Sequence, residues 1–438
     1  MSSGSSVMWF RRDLRVRDNP ALLSALAHGP VTGLFVIDPV LWSAAGPARR
    51  AWLAANVLAL AQDLPLTIRY GDPVDVVPAV ADGGVVHVAA ETTPYGRRRD
   101  QAVGEMVELV GTGSPYAIGP GQVTNGTGDP YQVFSAFARS WRAHGWAAPA
   151  ERPQSPDLVP AESDERAVGM LEQAVAAAPF KLPGAGEEAA WRRWQDFRDN
   201  DLADYPVERD RPDHDGTSRL SPYLHLGVLH PRSLLADLDP TSAFATELAW
   251  REFYADVLWH APASAWSDLK PALSGMTYDD QDAVEAWRTG TTGYPIVDAG
   301  MRQLREIGWM HNRVRMITAS FLTKDLHVYW TVGARHFLSS LIDGDVASNN
   351  HGWQWVAGTG TDASPYFRVF NPVTQGKTFD PDGAYVRRWV PELAHLSGAT
   401  AHEPWKSDVG YEGGYPLRIV DHADERAEAL RRYQASRA

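Results

Sequence analysis

Asp215-Gly-Thr-Ser-Arg-Leu-Ser-Pro222 marks the half of the chain in which apolar residues recur with helical spacing. Far upstream of it, from Val7 to about Pro120, short β-rich runs alternate with helical patterns instead. The segment itself sets a glycine, hydroxyls, an arginine and a further serine at a helix start. Hydroxyls and free backbone amides at such a start bind an anion such as a pyrophosphate. A plain helix cap is the commoner use of such a pattern.

Upstream, the apolar runs are Val7 to Phe10, Val31 to Ile37, Leu66 to Tyr70, Val85 to Ala89 and Tyr116 to Ile118. Candidate helices lie between them at 20–27, 50–63, 74–81 and 97–110. This alternation predicts an α/β domain with a parallel, Rossmann-like sheet and crossover helices. Asn19 before Pro20 is a helix cap with proline in the first turn. The glycine fingerprint of dinucleotide sites is missing, and Gly111-Thr-Gly113 is read as following a helix, so it is discounted as a phosphate loop. Residues 147–186 are rich in Ala, Pro and Glu, and the interdomain connection is drawn over 131–186. The expected division is an α/β domain over 1–130, the connection, and a helical domain over 187–438. In the helical part, 12 of the 17 tryptophans fall between Trp191 and Trp405, and a bulky aromatic core accounts for most of them.

Three patterns there place unlike groups on single helix faces, since residues three and four apart are neighbours. Glu247, Trp250, Arg251 and Tyr254 form one, Asn312, Arg315 and Met316 a second, and Asp345, Asn349 and Trp353 a third. Polar groups interleaved with Trp and Met suggest a lined cavity. A core of structural salt bridges, such as Arg315 with Asp343, fits the spacing equally well.

Composition narrows the field. With no cysteine, thiolate catalysis, thiolate metal sites and disulfides are excluded. The N-terminus lacks the order of a signal peptide, and no long apolar run occurs. A cytoplasmic protein off the membrane is expected. A net charge of −13 argues against nucleic acid unless a local basic patch supplies the contacts.

The segments D-G-T-S-R-L-S-P-Y-L at 215–224, W-R-E-F-Y at 250–254 and T-G-Y-P-I-V-D-A at 292–299 closely resemble the photolyase and cryptochrome family. So do G-W-M-H-N-R-V-R-M-I-T-A-S-F-L at 308–322, L-I-D-G-D at 341–345, N-N-H-G-W-Q-W at 349–355 and, less densely, W-F-R-R-D-L-R at 9–15. The resemblance implies an N-terminal α/β antenna domain and an all-α C-terminal domain that holds FAD in a folded conformation. By position, Tyr205, Thr217, Ser218, Arg219, Leu220 and Ser221 would contact the phosphates and neighbouring atoms. Phe244, Glu247, Arg251, Asn312, Arg315, Asp343, Asp345 and Asn349 would surround the rest.

Within the family, Asn349 implies repair rather than light sensing. Glu247, Trp250, Asn312, Met316 and Trp355 resemble the cavity of class I members that act on cyclobutane pyrimidine dimers; members acting on the (6-4) photoproduct carry histidine at the places of Asn312 and Met316. UV-damaged DNA is thus the implied partner, with Arg209, Arg313 and Gln375 at its backbone, Glu247, Asn312 and Asn349 as catalytic residues, no metal, and a monomeric enzyme. A blue-light photoreceptor without repair activity is the alternative. Of the family's photoreduction relay, Trp353 and Trp330 match, but Thr277 stands at the outer position and neighbouring Tyr278 is the candidate replacement. For an antenna the resemblance implies 8-hydroxy-5-deazaflavin, with Phe35, Asp38, Arg49 and Asp100 as contacts.

Overall fold

Strand β1 (Ser6–Phe10) is buried along its whole length, as a strand covered on both faces must be. It is the centre of a five-stranded sheet of order β3-β2-β1-β4-β5, with every pairing parallel, where β2 is Val31–Ile37, β3 Leu66–Tyr70, β4 Val85–Val88 and β5 Leu109–Gly111. Met8 pairs with Gly33 on one side and His87 on the other. The computed structural model describes residues 6–154, 156–279, 283–361 and 368–436.

Helices α1 (Pro20–Leu26), α2 (Pro39–Ala44), α3 (Pro47–Asp63), α4 (Pro73–Ala81) and α5 (Pro94–Gly104) each begin with proline, whose missing N–H costs nothing there. Asn19 caps α1 as read, accepting from the Leu22 N–H. The short α2 was not foreseen. It is capped by Asp38, whose Oδ1 accepts from Val40 N–H and Leu41 N–H.

Two expected elements differ. The helix over 97–110 stops at Gly104, and Leu109–Gly111 pairs with β4, so Gly111-Thr-Gly113 closes a strand rather than following a helix. The β-branched Val107 and Val110 after Gly104 favour that change. Tyr116 to Ile118 is not a strand, because its amides are taken by a side chain: Ala117 N–H and Ile118 N–H donate to the Glu252 carboxylate at 2.5 and 3.1 Å.

The chain divides into two compact units: 6–202 with 218–262 and 342–347, and 203–217 with 263–341 and 348–436. In the first unit, the segment expected as a connection carries two helices, Phe134–His144 and Glu165–Ala176. Val159 N–H donates to Val31 O and Asp164 N–H to Ile68 O, so the segment is laced to the sheet. Helix Ala243–His260 packs on Phe134–His144 through Phe137 against Phe253, ring centroids 5.2 Å apart.

The second unit, like much of the first, is helical, and its core holds Trp287, Tyr294, Trp330 and Tyr385, all fully buried. Helix Pro295–Ile307 follows a tight clamp that explains the T-G-Y-P-I-V-D run. Buried Asp298 accepts from Thr292 N–H and Oγ1–H, Gly293 N–H and Tyr415 Oη–H. Gly293 adopts φ +79, and a Cβ there would meet the backbone of Leu417 and Arg418.

Candidate functional site

In the first unit, Ser218-Arg-Leu-Ser221 turns into helix Ser221–Leu226 with Arg219 at φ +51, one of four non-glycine residues of positive φ among the described residues. Such strain in a bulky residue persists only where its surroundings hold it, and it clusters at functional sites. Arg193 Nε donates to Ser218 O at 2.9 Å, fixing the loop, while Ser221 Oγ donates to Asp343 at 2.6 Å. Asp343 and Asp345 are each 7 % exposed. Arg12, just beyond the end of β1, reaches Asp345, donating from Nη2 at 2.6 Å, and donates from Nε to His225 O at 3.2 Å. Arg49 shares this field, and burial, followed by the like charge of Arg12, pushes its guanidinium down to about 10. Burial and the same two arginines hold His225 well below the usual imidazole range, hence neutral. Hydroxyls and arginines for an anion, beside buried carboxylates for N–H or O–H groups, form a donor and acceptor set that suits a phosphorylated cofactor with a polar head.

On helix Ala243–His260 the four-residue face resolves into separate tasks. Arg251 is a tether: it donates to Pro115 O at 2.9 Å and Leu224 O at 3.1 Å, and its guanidinium lies 4.3 Å over the Tyr116 ring. Phe244 is core, packed on Trp194 and Phe197. Trp250 lies flat on Phe134, 3.6 Å away at 8°, so one face of its ring is taken. Glu247 is half-buried.

In the second unit, Asn312 opens helix Asn312–Ser320 and is exposed, with His311 Nδ1 capping the Arg313 N–H. Arg315 Nε donates to Met310 O at 2.8 Å. Arg313 pairs with Asp210 at 2.6 Å, contacts the Met316 sulfur and stacks over Phe379. Buried Tyr205 lies under Arg209, 5.9 Å away, and Thr217, Trp355 and Gln375 are half-buried. Asn349 donates both amide hydrogens, to Ala334 O at 3.1 Å and Asn350 Oδ1 at 2.8 Å, which leaves its carbonyl oxygen to accept. Trp353 and Trp330 are both buried. Trp353 packs edge-on against Phe337, while Trp330 Nε1 and Tyr329 Oη both donate to Asp268 Oδ1, at 2.7 and 2.8 Å. Tyr278 meets Tyr329 edge to face, 5.0 Å apart.

Among the antenna candidates, Asp38 is engaged as the α2 cap and accepts from Tyr95 Oη at 2.7 Å. Asp100 accepts from Arg11 and Arg99, and Phe35 is buried in the sheet. Arg49 keeps company with Arg12, Asp343 and Asp345. Sequence reasoning missed Arg12, Asp268 and Tyr329. Arg12 lay within a run already quoted, W-F-R-R-D-L-R, whereas Asp268 carries no local signal.

Residues 6–157 match the family model described as DNA photolyase, and 244–435 match the FAD binding domain of DNA photolyase. A deoxyribodipyrimidine photo-lyase of Streptomyces griseus is 41% identical, over 96% of this chain and 97% of that protein. A class III photolyase of Agrobacterium tumefaciens, known as a crystal structure, superposes with a TM-score of 0.89 at 34% identity, covering 100% of this chain and 98% of that one. A Synechocystis cryptochrome superposes at 0.88 with 28% identity, covering 98% of both. No helix among the described residues is long and apolar enough to cross a membrane.

Proposed function

We propose that this chain, which belongs to the DNA photolyase family, repairs cyclobutane pyrimidine dimers in DNA by light-driven electron transfer from reduced FAD. When bound, the fully reduced flavin supplies the photoexcited electron donor. By the resemblance, Tyr205, Thr217, Ser218, Arg219, Leu220 and Ser221 would hold its phosphates and adjoining atoms, and Phe244, Arg251, Arg315, Asp343 and Asp345 would contact the remainder. The fit rests on the strained Arg219 loop and its serine hydroxyls beside buried Asp343 and Asp345.

The observation that carries repair over sensing is Asn349, whose amide hydrogens are both spent on protein acceptors. Its carbonyl oxygen is then the group available to a protonated flavin nitrogen, whereas an aspartate there would change the charge. Glu247 and Asn312 hydrogen-bond the pyrimidine edge and stabilise negative charge placed on it. Trp250, one of whose ring faces is covered by Phe134, and, by the resemblance, Trp355 and Met316 are the side chains for contact with a flipped-out dimer. Arg209, Arg313 and Gln375 meet the DNA backbone.

The likeness of Glu247, Trp250, Asn312, Met316 and Trp355 to the class I cavity supports a class I reading, and a monomeric, cytoplasmic enzyme is proposed with it. For an antenna the sequence supports 8-hydroxy-5-deazaflavin with Phe35, Asp38 and Asp100, while Arg49 fits the flavin side better. The absorption spectrum of the native protein reads this directly, a deazaflavin band beside the flavin bands being expected. For repair, the reduced protein is incubated with dimer-containing DNA in light and in darkness. Dimer loss in light alone is expected, and a light response with no dimer loss would leave the photoreceptor reading.

A further inference from the structure

A relay that carries positive charge away from an excited flavin needs an outermost residue able to keep that charge long enough to prevent its return. Thr277 cannot be oxidised in this way, and Tyr278 was the candidate on sequence. A phenol that loses an electron becomes a strong acid, so a tyrosine is an effective donor only where its proton has somewhere to go. Tyr278 Oη donates to no described residue. Tyr329 Oη donates to Asp268 at 2.8 Å, within the range for direct proton transfer. Its ring lies 5.9 Å from that of Trp330, whose Nε1–H donates to the same carboxylate oxygen at 2.7 Å. One anion therefore stands beside the middle indole, where it favours positive charge, and beside the next ring outward, where it can take a proton. Burial, then the hydrogen bond to Asp268, pushes the Tyr329 phenol up to about 12, so it rests fully protonated.

We propose that Tyr329, with Asp268 as its proton acceptor, ends the photoreduction relay of this chain, in the place that Thr277 leaves unfilled. This rests on the flavin reading above. One electron leaves Trp330 for the photoexcited oxidised flavin by way of Trp353. One electron then passes from Tyr329 to Trp330, restoring the indole, while the phenol proton moves to Asp268. The products on the chain are a neutral tyrosyl radical and a neutral carboxylic acid. An added thiol returns a hydrogen atom to the tyrosyl, and Asp268 releases its proton to solvent.

The test uses the full chain carrying oxidised FAD, flashed with blue light in the presence of thiol and followed by transient absorption and electron paramagnetic resonance. In the unaltered protein an indole radical is expected to give way to a neutral tyrosyl radical, more slowly in deuterated water. Tyr329→Phe and Asp268→Asn are each expected to lose the tyrosyl signal and show charge return from the indole. Tyr278→Phe keeps the signal, and Asp268→Glu restores it. Flavin content and melting temperature check that each variant folds. Should Asp268→Asn not fold, the deuterium effect and the two tyrosine variants still decide. A tyrosyl signal that survives Tyr329→Phe and vanishes in Tyr278→Phe overturns the proposal, as does an unaltered protein that binds flavin but forms no tyrosyl radical. Light-driven dimer loss after chemical reduction bypasses the relay, so failure of the repair reading shows separately.

Discussion

Glu252 receives three N–H donors at once: the indole of Trp141 at 2.6 Å and the amides of Ala117 and Ile118. It is 3 % exposed, and burial pushes its carboxyl up to about 7 against the pull of those donors. A carboxyl whose folded value is raised stabilises the fold fully below the unfolded carboxylate range and loses that contribution as pH rises through the folded value. Thermal stability is therefore expected to fall between pH 5 and pH 8 more steeply in the native protein than in Glu252→Gln. That variant is nevertheless less stable overall by about 2 kcal/mol, because the glutamine NH2 meets a donor where the carboxylate accepted one. Melting curves across that pH range check both statements. The same residue explains why Tyr116 to Ile118 is read wrongly from sequence. Tyr116 and Ile118 are buried and β-prone and look like a strand, and nothing local announces that Glu252, far along the chain, takes the amides of Ala117 and Ile118.

At the level of elements, helix Trp330–Ser340 approaches helix Val346–Ala357 closely enough that only glycine fits at 333. A methyl group there would enter the Trp353 ring and press on Leu322. Gly333→Ala is expected to cost about 1–3 kcal/mol by overpacking. Gly169→Ala, in helix Glu165–Ala176 with open space around it, should instead stabilise by about 0.5–1 kcal/mol by restricting the unfolded chain. Denaturant midpoints of the two variants that move the same way would contradict this. Elements were legible where proline, a capping side chain and a periodic apolar run agreed, as at Asn19-Pro20. They were misread where one pattern served two states: 97–110 keeps helical spacing past Gly104, yet its end pairs with β4. The stretch over 131–186, proline-dotted from Pro149, also hid two helices, whose partners lie in distant parts of the sequence.

For the whole molecule, a charge of −13 and a polyanionic substrate coexist only if cations are concentrated locally. The logarithm of the affinity for dimer-containing DNA is expected to fall linearly with the logarithm of salt concentration. A flat titration would show that phosphate contacts from Arg209, Arg313 and their neighbours are not what holds the DNA. The site was legible to the extent that its groups sit in short runs, as in 215–224 and 341–355. Spacing alone left cavity and salt-bridged core undecided, and the structure assigns some of each: Arg251 is a tether, and Asp345 is paired with Arg12. That pair was invisible because its members lie 333 residues apart.

The pair also bears on how the protein is made. The unit built on the sheet is drawn from three stretches of chain, the last being Ile342–Ala347. Its β-strands emerge from the ribosome first, yet Arg12 and Ser221 wait for Asp345 and Asp343, which are among the last quarter of residues synthesised. Folding of the first unit therefore cannot finish domain by domain in order of synthesis. It stays incomplete while the intervening helices appear, so a chain terminated before 342 is expected to leave Arg12 and Ser221 without these partners, well outside the missing part.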